Sequence, residues 1–380
     1  MNILFIGPYR QNDQWGRKSR AVLKALQNTD HSVTSRPIYM SSNLDCNQYV
    51  ERSEFIINDH YDILIQFLLQ PYSMYDGNVT KRIGIFNTET IPYQIPLGQL
   101  TAELLMDEIW TDSSEIRDNL QNILQSYNSN TKVIATYPTL DIENFPVRPQ
   151  RSIRSHDNDL QNRFIFYWIG NILEDKQGFE ETCLAYLNTF SITDPIILVG
   201  ALEAKVNEQK LDEIIMGYRH SIEHLKPITQ QPPIKIVIPQ GNVLSETERS
   251  EIHVDGDCLV CPHYTTSINL TVLEGVLYKS IPIVNKQNAA YEWLGKKNLW
   301  GIESYKDLCI SKNKSSFFRF TSGELWHKPI MKSLSETMKN VYVNKFLRDK
   351  KIMANAELRQ HFEELSYNNI LSEKFNGDSS

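Results

Sequence analysis

Residues 257–285 read DCLVCPHYTTSINLTVLEGVLYKSIPIVN. CLVC and SIPIVN are short apolar runs of strand type, and the segment between them has helical spacing. At about 100° per residue, Leu270, Leu273 and Leu277 fall within about 60° of one another, with Val276 beside them. A strand, a helix and a second strand in that order imply a parallel sheet covered on both faces. The helix carries one acid, Glu274, on the apolar side between Leu270 and Tyr278. A carboxylate at that edge loses hydration unless something pairs with it.

Outward from this stretch the same alternation fills the chain. Before it stand strand-like RFIFYWIG, helical GFEETCLAYLNTF, strand-like DPIILVG, a long helical stretch LEAKVNEQKLDEIIMGYRHSIEHL, and strand-like IKIVIPQ. Helices are expected from about residue 325 onward. The first 135 or so residues show the same rhythm: strands in NILFIG, HSVTSRPI, YDILIQF, KRIGIFN, DEIWTDS and TKVIATYP, and helices in GRKSRAVLKALQN and SSEIRDNLQNILQSY. Residues 138–162 interrupt it with three prolines and a polar, charged run, the pattern of a linker. Two doubly wound α/β units in tandem are the expected architecture. In such sheets ligands bind outside the carboxyl ends of the strands. The loops after NILFI, after RFIFYWIG and after DCLVCPH are therefore the places where chemistry is expected.

Composition sets bounds on function. The chain has 380 residues, 41% hydrophobic and 22% charged, with a net charge of −7. That is ordinary for a globular protein of about two domains. The acidic balance gives no general electrostatic case for a nucleic-acid partner. No apolar run reaches the roughly 18 residues that cross a membrane, and MNILFIGPYR begins directly with a strand. A cytoplasmic protein is expected, with peripheral membrane contact left open. Five cysteines do not form a disulfide framework. Cys258 and Cys261 make a lone CxxC inside an apolar run and read as core. His220, Glu223 and His224 have the spacing of some zinc sites, but they lie near Pro227 at a probable helix end and lack a third ligand. Asp255 and Asp257 form a DxD just before a strand, the wrong end for ligand binding. No metal is expected.

The three loops carry more. Gly7 and Gly16 bracket GPYRQNDQWG, which lacks both the GxGxxG and the GxxxxGK[ST] pattern. On its own the loop is equally an ordinary connection. Lys176 stands beside Gly178 at a helix mouth, where the dipole disfavours a cation unless an anion is present. In YTTSINLTVLEG, Ser267 or Asn269 can cap the helix and leave the amides of Leu270 and Thr271 as an anion site. Glu274, a turn further in, is either a ligand for ribose hydroxyls or a buried acid paired with a local arginine or tyrosine.

Together these motifs resemble the group 1 family of retaining, nucleotide-sugar-dependent glycosyltransferases. MNILFIGPYR…WGRKSR is similar to that family's first strand, glycine loop and helix, and MDEIWTDSSEIRDNL to its "D-x-(apolar)-x-x-x-S" element. VIATYPTLDIENFP, with Asp141 and Phe145, resembles its segment ahead of the linker. WIGNILEDKQGFEE resembles "G-x(5)-K-G", shifted by one residue, and CLVCPHYTTSINLTVLEGVLYKSIPIV its E-x(7)-E signature.

The resemblance implies the GT-B fold, two tandem Rossmann-like domains facing across a cleft. The implied limits are 1–150 for the acceptor-side domain, joined by a C-terminal helix 358–376, and 160–350 for the donor-side domain. It also implies transfer of a sugar from a nucleotide-diphosphate donor to a saccharide or other acceptor hydroxyl, with retention and without cofactor or metal. Glu274 would bind the ribose and Lys176 would stabilise the departing diphosphate. Asn269, Leu270 and Thr271 would offer amides to the phosphates. Gly170, Asn171, Thr266 and Ser267 would line the donor site, and Gly7 and Gly16 would let the first loop close over it. Trp15 and Glu89 fall on the acceptor side.

The chain departs from the family in several places. Thr266 stands where the first acid of the signature belongs. Asn171 and Ile172 stand near the place of a customary arginine. YPTLD lacks a glycine, and FNTETIPYQ offers Glu89 where a histidine is usual. These departures keep open a non-catalytic glycan- or partner-binding module, or a nucleotide-sugar epimerase.

Overall fold

Strands form where short β-branched and aromatic runs alternate with amphipathic helices, and in the computed structural model they assemble into two parallel sheets. The structure describes residues 1–11, 13–38, 51–68, 77–86, 104–136, 153–309 and 324–364. The chain divides into two units, Met1–Phe145 with Gln360–Ser380, and Pro146–Arg359.

In the first unit β1 (Asn2–Gly7), β2 (Ser32–Pro37), β3 (Tyr61–Phe67), β4 (Val79–Ile85), β5 (Glu108–Thr111) and β6 (Lys132–Ala135) lie in the order β2-β1-β3-β4-β5-β6. All pairs are parallel. Successive strand residues point to opposite faces, so one core forms on each side. Helix α1 (Gln14–Gln27) packs Val22, Leu23 and Leu26 against Ile3 and Phe5. On the other side α2 (Ser114–Ser126) packs Ile116, Leu120 and Leu124 against Ile109 and Val133. Ile109 and its neighbour Trp110 divide between these two cores. The Ser113 hydroxyl caps α2, as expected from the serines there.

The second unit holds β7 (Phe164–Gly170), β8 (Ile196–Leu202), β9 (Ile234–Val237), β10 (Cys258–Cys261), β11 (Ile283–Asn285) and β12 (Trp300–Ile302) in the order β12-β11-β10-β7-β8-β9. These pairs are also parallel. The chain winds outward from β7 in one direction and then from β10 in the other, so the strand order reverses between them. Phe166 and Trp168 belong to a core shared with α3 (Phe179–Thr189) and α7 (Met331–Val343). Tyr167, one residue out of phase, meets His253 on α5 (Glu246–Asp255).

Several expectations need correction. The long helical stretch is only α4 (Glu208–Ser221), because Asn207 caps its start and Ala204 bridges to Val243 instead. Helix α5 was not expected, although Ser245 and Glu248 form a capping box at its start. The chain past residue 325 begins with a strand rather than a helix: β13 (Ser304–Leu308) pairs antiparallel with β14 (Leu325–Pro329). Most of the linker stretch lies outside the described residues. No helix among them is long and apolar enough to cross a membrane.

Candidate functional site

A ligand is expected at the carboxyl ends of β7 and β10, where the strand order reverses. Two loops meet there. The first leaves β7 at Gly170. A Cβ on that glycine would stand 2.1 Å from Gln177 Oε1 and 2.6 Å from the Trp168 ring. The close approach lets Gln177 Oε1 accept from the Asn171 amide at 2.7 Å, while Trp168 Nε1 donates to the Gln177 carbonyl at 3.0 Å. Residues 171–177 are thereby folded back on the strand end. Lys176 sits inside this turn with 6% of its surface exposed, and its ammonium lies 3.2 Å from Glu174 Oε2.

Gly178 ends the turn and opens α3. Its φ is +69°, and a Cβ there would stand 2.8 Å from the Pro262 ring. Only glycine takes this conformation without strain. The approach brings in the second loop, which leaves β10 at Pro262. The Tyr264 amide donates to the Lys176 carbonyl at 2.9 Å, so the two loops are joined through backbone.

The second loop runs into α6 (Leu270–Leu277). The Asn288 side chain holds it by donating to the carbonyls of Thr265 and Ser267 at 3.0 and 2.8 Å. Asn269 caps α6. Its Oδ1 accepts from the Thr271 amide at 2.9 Å, and its Nδ2 lies 2.9 Å from His263 Nδ1. The cap thus already engages one of the amides expected to serve an anion. The hydroxyls of Thr266 and Thr271 are buried and have no hydrogen-bond partner.

Glu274 is buried with 1% of its surface exposed. Its Oε2 lies 3.4 Å from His253 Nε2, and the Tyr167 hydroxyl lies 2.8 Å from His253 Nδ1. Tyr278 stacks on the His253 ring at 5.6 Å and 8°. The imidazole thus lies between the Tyr167 hydroxyl and the Glu274 carboxylate. The ionic contact that Glu274 makes here is with a histidine. Sequence reasoning did not find it, because His253 is 21 residues away on a helix that was not expected.

The structure therefore brings together Gly170, Asn171, Lys176, Thr266, Ser267, Asn269, Leu270, Thr271 and Glu274 on two linked loops and the helix that follows. Gly7, Trp15 and Gly16 belong to the first unit. A Cβ on Gly7 would meet Ser19 Oγ at 2.5 Å, and one on Gly16 would meet the Gln11 carbonyl oxygen at 2.0 Å. Close packing accounts for both glycines, against α1 and the strands for Gly7 and against the first loop for Gly16. Trp15 packs against the core, 6.0 Å from the Lys18 ammonium. Glu89, Asp141 and Phe145 lie outside the described residues.

The remaining motifs are accounted for away from these loops. Asp255 Oδ2 accepts from the Arg154 amide at 3.0 Å, and Asp257 Oδ2 pairs with the Arg154 guanidinium at 2.6 Å. His220 Nδ1 lies 2.7 Å from the Met216 carbonyl on the exposed end of α4. Cys258 and Cys261 are core residues, 0% and 4% exposed.

No family model and no curated protein matches the chain in sequence. Solved structures do match in fold. An E. coli structure described as trehalose-6-phosphate bound with UDP-2-fluoro glucose has a TM-score of 0.66 at 11% identity, with 100% of this chain and 98% of that chain covered. A UDP-forming α,α-trehalose-phosphate synthase from Burkholderia xenovorans has a TM-score of 0.62 at 12% identity, with 99% and 98% covered. A sucrose-phosphate synthase from Thermosynechococcus elongatus has a TM-score of 0.61 at 12% identity, with 100% of each covered. Two parallel six-stranded sheets in tandem, in a backbone similar over its whole length to these enzymes, establish that the chain has the GT-B fold.

Proposed function

We propose that the chain is a glycosyltransferase that moves a sugar from a nucleotide-diphosphate donor to an acceptor hydroxyl, with retention. The observation that carries this reading is the junction of the β7 and β10 loops at the point of strand reversal. There a buried ammonium, a capped helix start and a buried carboxylate are held by named backbone and side-chain contacts. Lys176 would leave Glu174 for the donor diphosphate and stabilise charge that develops on it. The start of α6 supplies partial positive charge to the same phosphates. Glu274, oriented by His253, would accept hydrogen bonds from the ribose hydroxyls. The nucleotide sugar is a co-substrate, and neither cofactor nor metal enters the reaction. The likeness to enzymes named for UDP and for sugar phosphates makes UDP-glucose the first donor to try and sugar phosphates the first acceptors.

Glu274→Ala and Lys176→Ala are each expected to lower donor turnover by orders of magnitude while far-UV circular dichroism stays unchanged. Wild-type rates in both variants would remove the assignment.

A second reading has its own support. The first acid of the signature is replaced by Thr266, whose hydroxyl is buried without a hydrogen-bond partner. A non-catalytic module with this fold would neither hydrolyse nor transfer the sugar of any donor. Calorimetry with UDP-, GDP- and ADP-sugars beside a turnover assay separates the two readings.

A further inference from the structure

Residues of the 171–177 turn also line a partly open cavity of about 90 Å³ in the second unit. A single water needs only roughly 10–15 Å³ measured in this way, so the space takes a small organic group. Four aromatic rings line it: Phe179, Tyr218, Tyr264 and Trp326. Tyr264 and Trp326 meet edge to face, with centroids 5.0 Å apart and planes at 80°. Phe179 and Tyr218 form a second angled pair at 6.3 Å and 59°. The two ring pairs border one partly open volume, and aromatic rings attract cations.

The charge of the lining has the matching sign. Among the described residues, Glu174, Asp175, Glu180 and Glu181 border the cavity against one cation, Lys328. Glu174 is paired with Lys176. Glu181 is the informative member. It is 8% exposed, and its Oε1 accepts from the Tyr264 hydroxyl. Its Oε2 is buried and has no hydrogen-bond partner. Burial pushes this carboxyl above the usual carboxylate range, while the Tyr264 hydrogen bond and Lys328 pull the other way. A buried carboxylate oxygen left unpaired costs free energy, and a bound cation would relieve it. No cluster of three or more His, Cys, Asp or Glu suited to a metal ion occurs among the described residues. Aromatic rings also make poor ligands for a small, strongly hydrated ion.

From this geometry we infer that the cavity walled by Phe179, Tyr218, Tyr264 and Trp326 and based on Glu181 is a binding site for a small organic ammonium group. The rings take the alkylated faces of the cation, and the carboxylates balance its charge. Lys328 competes for the same carboxylates. The site is independent of the donor reading: its recognition elements are the rings and Glu181, none of which was assigned to the nucleotide sugar.

The probe is choline chloride, titrated calorimetrically into the full chain at constant ionic strength. The control is 3,3-dimethylbutan-1-ol, which has the same shape without the charge. Saturable binding of choline, at least tenfold tighter than the alcohol, is expected. Glu181→Gln should weaken choline at least tenfold, and Trp326→Leu should weaken it as well. Lys328→Met should tighten it, and this variant leaves the base of the cavity intact if the others fail to fold. No saturable binding of choline by the wild-type protein would overturn the inference. So would equal binding of the alcohol, or unchanged affinity in both Glu181→Gln and Lys328→Met.

Discussion

At the scale of single residues, the most consequential contact is the one between His253 and Glu274. Both side chains are almost fully buried, at 0% and 2% exposure. A carboxylate in such a place loses hydration, and the imidazole beside it is held through its other nitrogen by Tyr167. His253→Ala removes this contact and keeps the acid. Stability should fall by about 1.5–3 kcal/mol, the usual worth of a hydrogen bond to a charged group, read as a lower midpoint in urea unfolding. His253→Gln can still present an N–H toward the carboxylate and should recover part of the loss. Equal stability in wild type and His253→Ala would mean that Glu274 is balanced elsewhere. Glu274 could be selected from sequence alone because an acid on an apolar helical stripe breaks the pattern. Its partner could not, since contacts between helices that flank different strands have no sequence spacing.

At the scale of elements, each apolar strand expected in the sequence is present among the described residues. Runs such as RFIFYWIG and DPIILVG are buried on both faces and admit no other reading at that length. What escaped was amphipathic or exposed. Helix α5 buries Ile252 and His253 but is otherwise rich in charge, so its apolar period is faint. The mark it did carry was Ser245 three residues before Glu248, where the serine hydroxyl accepts from the Glu248 amide at 3.2 Å. Strand β13 escaped because its side chains are largely exposed and lack alternation. The cap on α5 gives a test at this scale. Ser245→Ala should cost about 1 kcal/mol, measured by chemical unfolding, and Ser245→Asp should cost much less. A neutral Ser245→Ala would show that Glu248 alone fixes the start of this helix.

At the scale of the whole molecule, the tandem restart after residue 160 was legible from rhythm, but the two sheets are not copies in order. Among the described residues, two strands, β1 and β2, precede the reversal in the first unit and three, β7 to β9, precede it in the second. Apolar runs reveal that a strand exists; its neighbours depend on which way each crossover turns, and composition is silent about that. The placement of Lys176 and Glu274 near one reversal point was thus inferred from the resemblance, whereas the contacts that hold them there emerged only from the fold.

The buried thiols of the second unit have a practical consequence. Cys183, Cys258 and Cys261 are enclosed in its sheet and the helix above it, and burial pushes all three thiols up, that of Cys261 to about 12. Alkylating reagents attack thiolates, so at pH 8 iodoacetamide should reach these positions only through transient opening. Peptide-resolved mass spectrometry would then serve as an intrinsic clock for this half of the molecule, running at least a hundredfold slower than for a free cysteine. Saturating UDP-glucose should slow it further if that nucleotide is held there. Alkylation at the rate of the free amino acid, in protein that keeps its circular dichroism, would reveal a core that breathes far more than its packing implies.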